Sequence, residues 1–268
     1  MTPTPSSQDI SLPAAALLAV DLQASRQATL TDPRYARMMA EDGHEHPEAY
    51  LDSCDQLFRG VELRGKDVLE IGSGRGLLSI YLAMRGARVT SLEPEMAGSQ
   101  SGMMHLQQTR CAALGLKVET LPVDFNGWRP TRTFDVIVSR STVNHLYPSE
   151  HHALAHQPTW DGYVQMFQHT RSLLRPGGVF VARDSSRYAL FLLLRKWIRK
   201  PWKTGHTGVD WRHHQNAATW VRLMWAAGFT SASRDYLIPY PLRRVSWLVN
   251  TGLVSFFLKG VFIVKARA

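Results

Sequence analysis

The nine residues from Val68 to Gly76, VLEIGSGRG, constrain the fold of this chain more than any other stretch. An aliphatic run typical of a strand ends in three glycines, Gly72, Gly74 and Gly76, each separated from the next by one residue. Glycine has no Cβ atom, so such a turn can take positive φ angles and approach a ligand closely. A helix that follows it offers unpaired N–H groups in its first turn. The pattern therefore predicts a strand, a nucleotide-binding turn and a helix.

Strand-like and helix-like segments alternate from residue 61 onward, which is typical of a largely parallel sheet covered by helices on both faces. Glycine at the predicted ends of several helices supports these boundaries. An RPGG sequence at 175–178 predicts a turn before the fifth strand. The predicted strands are 67–71, 88–92, 117–121, 134–139, 179–184, 231–237 and 260–266, and the predicted helices are about 77–85, 100–114, 161–174 and 220–227.

Residues 1–60 show short helical patterns, broken by Pro33, Gly43 and Pro47, and no strand-like alternation. The apolar run at 12–20 lacks the basic front of a secretory signal, so we interpret it as a helix. We therefore predict an N-terminal helical cap, or substrate lid, at 1–60 and one main domain at 61–268. The next long apolar run, at 188–194, is far shorter than the roughly 18 residues that a membrane span needs.

The cysteine content and the charge of the chain limit its setting and its partners. Two cysteines, Cys54 and Cys111, provide neither a disulfide framework nor metal-ligand spacing, so we expect a reducing, cytoplasmic compartment. The formal net charge of +9 favours anionic surroundings such as acidic substrates, phospholipid headgroups or nucleic acid. Incidental charge explains it equally well, so the charge alone selects none of these partners.

The motif EIGSGRG resembles the cofactor-binding turn of class I S-adenosylmethionine-dependent methyltransferases, and the resemblance extends over roughly 61–268. It implies a Rossmann-like α/β three-layer sandwich with a seven-stranded, mostly parallel sheet whose last strand is antiparallel. It also implies S-adenosylmethionine as the cofactor. In this family an acid stands in the first strand two positions before the first glycine, here Glu70. The methionine part of the cofactor lies over the turn, here Gly72, Ser73, Gly74 and Gly76.

The resemblance assigns further cofactor-binding residues in the order in which the family carries them. Glu93, followed by Pro94, comes about 20 residues after Gly72, where an acid can accept hydrogen bonds from both ribose hydroxyls. Asp124 and Phe125 take the place of the residues beside the adenine ring, and Arg140 at the end of the fourth strand is assigned to the same site. A nicotinamide cofactor is the main rival, but its G-x-G-x-x-G fingerprint does not fit this glycine spacing.

The segment RSTVNHL at 140–146 resembles the family's loop over the sulfonium group of the cofactor. One catalytic candidate lies in this segment, and a second lies at the end of the fifth strand. His145 stands where many small-molecule methyltransferases carry a histidine, and Asp184 ends the fifth strand across the same pocket. They are candidates for an acid/base pair, and a structural role is the alternative for each. We interpret the other histidines as loop residues and expect no metal. These are His151, His152, His206, His213 and His214.

The predicted activity is methylation of a small hydroxylated acceptor, such as a metabolite, a sugar or a lipid-linked intermediate, with oxygen favoured over nitrogen or carbon. Nucleic-acid methylation is less favoured, because SRST follows the fourth strand in place of an N/D-P-P-Y/F motif. A non-catalytic cofactor-binding partner protein is the third alternative. The oligomeric state is open.

The N-terminal segment at 35–50 and insertions near 145–160, 185–212 and 240–259 are expected to set acceptor specificity. Two of them contain basic, apolar segments, at 187–200 and 241–259. Such segments can contact a membrane surface peripherally, or they can simply roof the active site.

Overall fold

A seven-stranded sheet forms the centre of the protein, in the order β3-β2-β1-β4-β5-β7-β6. The computed structural model describes residues 32–94, 102–190, 194, 211–257 and 260–268. The apolar run at 12–20 lies outside the described residues. The strands are β1 Asp67–Ile71, β2 Arg88–Leu92, β3 Val118–Leu121, β4 Phe134–Arg140, β5 Leu174–Ser185, β6 Ser231–Tyr236 and β7 Val261–Arg267.

The described helices cover both faces of this sheet and the edge where the strands end. Two begin at prolines that sequence analysis marked as breaks, Pro33 and Pro47, since proline is favoured in a first helical turn. Short 3-10 turns occupy Ala153–Ala155, Trp211–His213 and Tyr240–Val245. The helices are α1 Pro33–Glu41, α2 Pro47–Leu57, α3 Leu77–Met84, α4 Met103–Ala113, α5 Val143–Leu146, α6 Gln157–Ser172, α7 Ala217–Ala226, α8 Ser246–Val249 and α9 Gly252–Phe257.

Strand pairing confirms the predicted fold class. Strands β1 to β5 are parallel, while β7 pairs antiparallel with both β5 and β6. Because strand side chains alternate between faces, the sheet divides the core into two apolar clusters. One cluster joins α1, α2 and α3 to the sheet, and we call its side the cap face. The other cluster joins α6 and α7 to the opposite face.

Two segments differ from the sequence-based expectation. The RPGG sequence lies inside β5, which starts at Leu174, and does not form a turn before it. The pairing of β5 with β4 is irregular at this point, and Gly177, with φ +75°, allows the bulge after which pairing continues. The described part of the basic segment at 241–259, which ends at residue 257, is divided between a 3-10 turn and two short helices. Most of the predicted basic helix at 187–200 lies outside the described residues. No helix among the residues that the structure describes is long and apolar enough to span a bilayer.

Buried Arg110 on α4 fixes the end of α1 beside the glycine turn. Its guanidinium lies 2.9 Å from Asp42 Oδ2 and 3.1 Å from Glu41 Oε2, and it donates to the carbonyl of Arg75 at 3.1 Å. Arg75 itself pairs with Asp42 at 3.0 Å. The end of α1, within the predicted cap, is therefore held beside the glycine turn.

Candidate active site

The glycine turn after β1 has the backbone conformation that its sequence predicts. Gly72, Gly74 and Gly76 all have positive φ angles, at +73°, +52° and +83°. A Cβ atom on Gly72 would approach the Thr142 side chain to 2.5 Å, whereas one on Gly74 would meet nothing within 4 Å. Gly72 therefore allows close packing on the loop after β4. The space above Gly74 is open to receive a ligand.

A chain of buried side chains holds this turn in place. The hydroxyl of Ser73 donates to Gln107 Oε1 at 2.6 Å. Gln107 Nε2 in turn donates to the hydroxyls of Ser79 and Ser91 at 2.9 and 2.8 Å. Ser79 then donates to the carboxylate of Glu70. Because a buried polar group is costly unless it is hydrogen-bonded, this network fixes the turn, α3, α4 and β2 in one arrangement.

Glu70 is buried at the end of β1, and burial raises the pKa of its carboxyl group from about 4.5 to about 7. The Ser79 hydrogen bond and the charge of Arg140 oppose this shift, while Glu93 adds to it. A carboxyl group with such a pKa is ready to ionise when a cation arrives. The ammonium group of S-adenosylmethionine, the predicted cofactor, is a cation of this kind.

Glu93 follows β2 and faces the same turn. Its Oε2 atom accepts a hydrogen bond of 2.6 Å from the backbone N–H of Gly74, and its side chain is mostly buried. Pro94 directly follows it. The structure thus brings the second predicted acid next to the glycine turn, beside Glu70, where a ribose could reach it.

Asp124 and Phe125 lie beyond β3 in different surroundings. Asp124 is exposed, and its Oδ2 atom accepts from the N–H groups of Asn126 and Gly127 at 3.0 and 3.2 Å. Phe125 is buried and packs on the ring of His169, with 4.9 Å between centroids. The carboxylate of Asp124 thus stabilises its own loop, and the ring of Phe125 packs in the core beneath that loop.

A cavity of about 560 Å³ joins the turn to the cap. Arg140 at the end of β4 lies in its wall, with its guanidinium 4.4 Å from the ring centre of Tyr50 on α2. The cap residues of this wall lie within the segment 35–50, which sequence analysis associated with acceptor specificity. The cavity is lined by Glu41, Asp42, His44, Tyr50, Glu70, Gly72, Ser73, Gly74, Arg75, Leu77, Leu78, Met103 and Arg140.

A larger hollow, of about 940 Å³, lies at the opposite end of β1, β2 and β4. Its rim includes Asp67, which is ion-paired with Arg88 and Arg175 at 2.6 Å each. Open α/β sheets bind ligands at the carboxyl ends of their strands. The smaller cavity, which holds the glycine turn, is therefore the candidate active site.

The two catalytic candidates lie on the face opposite the cap. Asp184 is buried, accepts from its neighbour's backbone N–H at 2.7 Å, and lies 3.5 Å from Nδ1 of His214. His145 is exposed, with its ring 6.1 Å from that of His214. Burial raises the pKa of Asp184, and partial burial of the ring lowers the pKa of His145. His145 is therefore largely neutral near pH 7.

His214, which sequence analysis interpreted as a loop residue, lies beside Asp184, and this proximity was not predicted. Its Nδ1 atom lies 2.8 Å from the carbonyl oxygen of Ser185 and 3.3 Å from the Asn144 amide, besides its contact with Asp184. Only its position in a polar run before α7 marks it in the sequence. The structure thus places a second histidine between Asp184 and His145. No cluster that could hold a metal occurs among the described His, Cys, Asp and Glu residues.

The doubly covered sheet, its glycine turn and the two acids beside it define a nucleotide-cofactor-binding α/β protein. More narrowly, the chain belongs to a methyltransferase-domain family, whose model matches residues 43–233. The predicted class, a methyltransferase that uses S-adenosylmethionine, is thereby confirmed. The open space above Gly74 and the buried carboxyl group of Glu70 fit that cofactor.

Two curated relatives are both named ubiquinone biosynthesis O-methyltransferase. The protein from Paramagnetospirillum magneticum is 28% identical over 54% of this chain, and the match spans only about half (49%) of that relative. The protein from Psychrobacter arcticus is 24% identical over 82% of this chain and 79% of its own. Among solved structures, the plantazolicin methyltransferase BpumL in complex with SAH is similar in fold. It has a TM-score of 0.52, 12% identity and coverage of 94% of this chain and 96% of its own.

Proposed function

We propose that this protein methylates an oxygen atom of a small hydroxylated acceptor: a metabolite, a sugar or a lipid-linked intermediate. The observation that carries the proposal is the group of Asp184, His214 and His145 at the carboxyl ends of β4 and β5. S-adenosylmethionine supplies an activated methyl group, so what the protein must add is orientation and removal of the acceptor's proton. The names of the two curated relatives support oxygen as the methylated atom.

His145 suits the role of proton acceptor. It is exposed, and its lowered pKa keeps one ring nitrogen free of a proton near pH 7. The carboxylate of Asp184 behind it favours the positive charge that His145 gains with the acceptor's proton, whereas His214 opposes it. An alcohol needs such a base as it attacks, whereas a neutral amine does not.

A panel of acceptors tests this proposal, with labelled S-adenosylmethionine as the methyl donor. Phenols, catechols and sugars represent hydroxyl acceptors, amines represent nitrogen acceptors, and total RNA represents the competing class. We expect transfer to a hydroxyl compound. His145→Gln should lower kcat about a hundredfold or more without changing the affinity for the product cofactor. His105→Gln, on the exposed side of α4, is the matched control. Transfer only to amines or RNA, or full activity of His145→Gln, would contradict the proposal.

We also propose that the segment 241–257 contacts a membrane surface, as a lipid-linked acceptor would require. Trp247 is 81% exposed, Leu253 70% and Phe257 58%, and basic Arg244 is exposed nearby. Exposed tryptophan and leucine beside arginine are typical of interfacial segments. Flotation with phosphatidylglycerol vesicles should carry the protein upward, and Trp247→Ser should reduce this. Leu154→Ser, at an exposed leucine elsewhere, should have no effect. Failure of the wild-type protein to float would refute the contact.

A further inference from the structure

Two arginines lie side by side at the carboxyl ends of β4 and β5. The strand register pairs Arg140 directly with Arg183, so both side chains project from the same face of the sheet. This is the cap face, because Val138 and Val181, two residues earlier on each strand, belong to the cluster under α2. Both arginines are only partly exposed. Two positive charges therefore share a half-buried space under the cap.

No protein anion neutralises this pair at close range. Within the described part of the chain, no carboxylate oxygen lies within 4 Å of either guanidinium. The Nε atom of Arg183 is buried without a hydrogen-bond partner among the described residues. Burial and the neighbouring Arg140 lower the pKa of Arg183 to about 10. Placing two cations together in this way costs free energy unless an anion joins them.

The surroundings of the pair place it within reach of the active site. Arg140, Tyr50 and His44 all line the cavity that contains the glycine turn. The ring of His44 packs on Tyr50 at 4.6 Å, and both arginines help to lower the pKa of His44, after the larger effect of burial. The Tyr50 hydroxyl is likewise buried without a hydrogen-bond partner. Guanidinium, phenol and imidazole groups thus converge on one wall.

We propose that Arg140 and Arg183 bind an oxyanion of the methyl acceptor, a carboxylate or a phosphate, so that the acceptor is an acidic small molecule. The inference rests on the proposed function, because it assigns the anion to the acceptor of that reaction. Guanidinium groups match the geometry of both oxyanions and form paired, charge-assisted hydrogen bonds with them. Such bonds are stronger in a half-buried site than in water. One anion would satisfy the buried Nε atom of Arg183 and offset the repulsion between the two cations.

The test uses the full chain saturated with S-adenosylhomocysteine, which fills the cofactor site together with its own carboxylate. Inorganic phosphate and benzoate are then added separately, with chloride at equal ionic strength as the reference, and the Tm is measured. We expect at least one of the two probes to raise the Tm of the wild-type protein by several degrees, with a millimolar midpoint. The more effective probe identifies the acidic group. Arg183→Gln should weaken that response at least tenfold in concentration, and Arg183→Lys should retain part of it.

Arg222→Gln is the matched control, because Arg222 is an exposed arginine on α7, outside the candidate active site. Its anion response should equal that of the wild type. The proposal is overturned if neither probe stabilises the saturated wild-type protein, or if Arg183→Gln responds as the wild type does. It is also overturned if anions act only without S-adenosylhomocysteine, since the pair would then hold the cofactor's carboxylate.

The same titrations show whether the cofactor product binds at all. If S-adenosylhomocysteine does not bind, the proposed function fails, and the acceptor assignment fails with it. If it binds but no anion response follows, only the acceptor assignment fails. Circular dichroism of the Arg183 variants checks that a lost response is not a lost fold.

Discussion

Replacing Glu70 with glutamine should remove a pH dependence from cofactor binding. Glu70 is about 1% exposed, and burial raises the pKa of its carboxyl group to about 7. An ammonium group of the cofactor nearby favours the ionised carboxylate, so binding should release a proton wherever Glu70 is protonated beforehand. Near pH 7 the expected release is roughly half a proton per site.

The affinity should follow from this proton release. Above about pH 8 the carboxylate is almost fully ionised, and the Kd for S-adenosylhomocysteine should be constant. Well below pH 7, the Kd should rise about tenfold for each pH unit, since one unit corresponds to roughly 1.4 kcal/mol. From the plateau above pH 8 down to pH 5.5, the expected loss of binding free energy is therefore about 2 kcal/mol, or roughly thirtyfold in Kd.

Isothermal titration calorimetry with S-adenosylhomocysteine measures both quantities. Titrations from pH 5.5 to 8.5, in buffers with different heats of ionisation, give the Kd and the number of protons released. Glu70→Gln should bind more weakly at pH 8 but with no slope and no proton release. Glu62→Gln, at an exposed acid, should match the wild type. A wild-type Kd that is independent of pH, or a slope that survives in Glu70→Gln, would refute the reasoning.

Four further substitutions test the architecture of the glycine turn and of the opposite end of the sheet. Gly72→Ala should lower the free energy of unfolding by about 2 kcal/mol or more, because its Cβ would strike Thr142. Gly74→Ala should lower it by only about 1 kcal/mol but should greatly weaken cofactor binding. Denaturant unfolding measures the first effect, and calorimetry measures the second. Equal effects on folding would argue against the open space above Gly74. Gln107→Leu should destabilise the fold by about 3 kcal/mol in urea unfolding, because it leaves buried hydroxyls without partners. An unchanged free energy of unfolding would show that this hydrogen-bond network does not stabilise the fold. Asp67→Asn should cost up to about 1 kcal/mol at pH 7. Two arginines hold the pKa of Asp67 at about 2, so the difference from wild type should shrink as pH falls below about 4 and be lost below about 2. An undiminished difference at pH 2 would contradict this ion pairing.

The fold could be predicted because its determinants are local and periodic. The central strands β1 and β4 are short apolar runs, and a glycine follows α3 and α4 within two residues, so most boundaries were predicted to within a few residues. The glycine turn and the position of Glu70 could likewise be predicted, because they depend on spacing along one segment. The irregular start of β5 could not be predicted, since its RPGG sequence fits a turn as well as a bulged strand.

The rest of the site depends on contacts between segments far apart in sequence. Gln107 lies in the middle of a helix with no motif around it, yet it joins three serines. His214 meets Asp184 only because the segment before α7 folds back over β5. Arg183 carried a usable signal, because both β4 and β5 reach an arginine near their carboxyl ends. Only the register shows that it lies beside Arg140.

Neighbouring residues of β5 serve opposite sides of the sheet. Arg183 projects under the cap, and Asp184 projects toward His214. Mutations in α1 and α2 can therefore alter the groups around the arginines without touching the histidines, and mutations near α7 can do the reverse. In evolutionary terms, the preference for an acceptor and the chemistry applied to it can diverge separately. A one-residue shift in the register of β5 would move Arg183 and Asp184 to the opposite faces of the sheet, so acceptor binding and catalysis would be lost together. We therefore expect the length of this strand to be under stronger selection than the sequence of either helical layer.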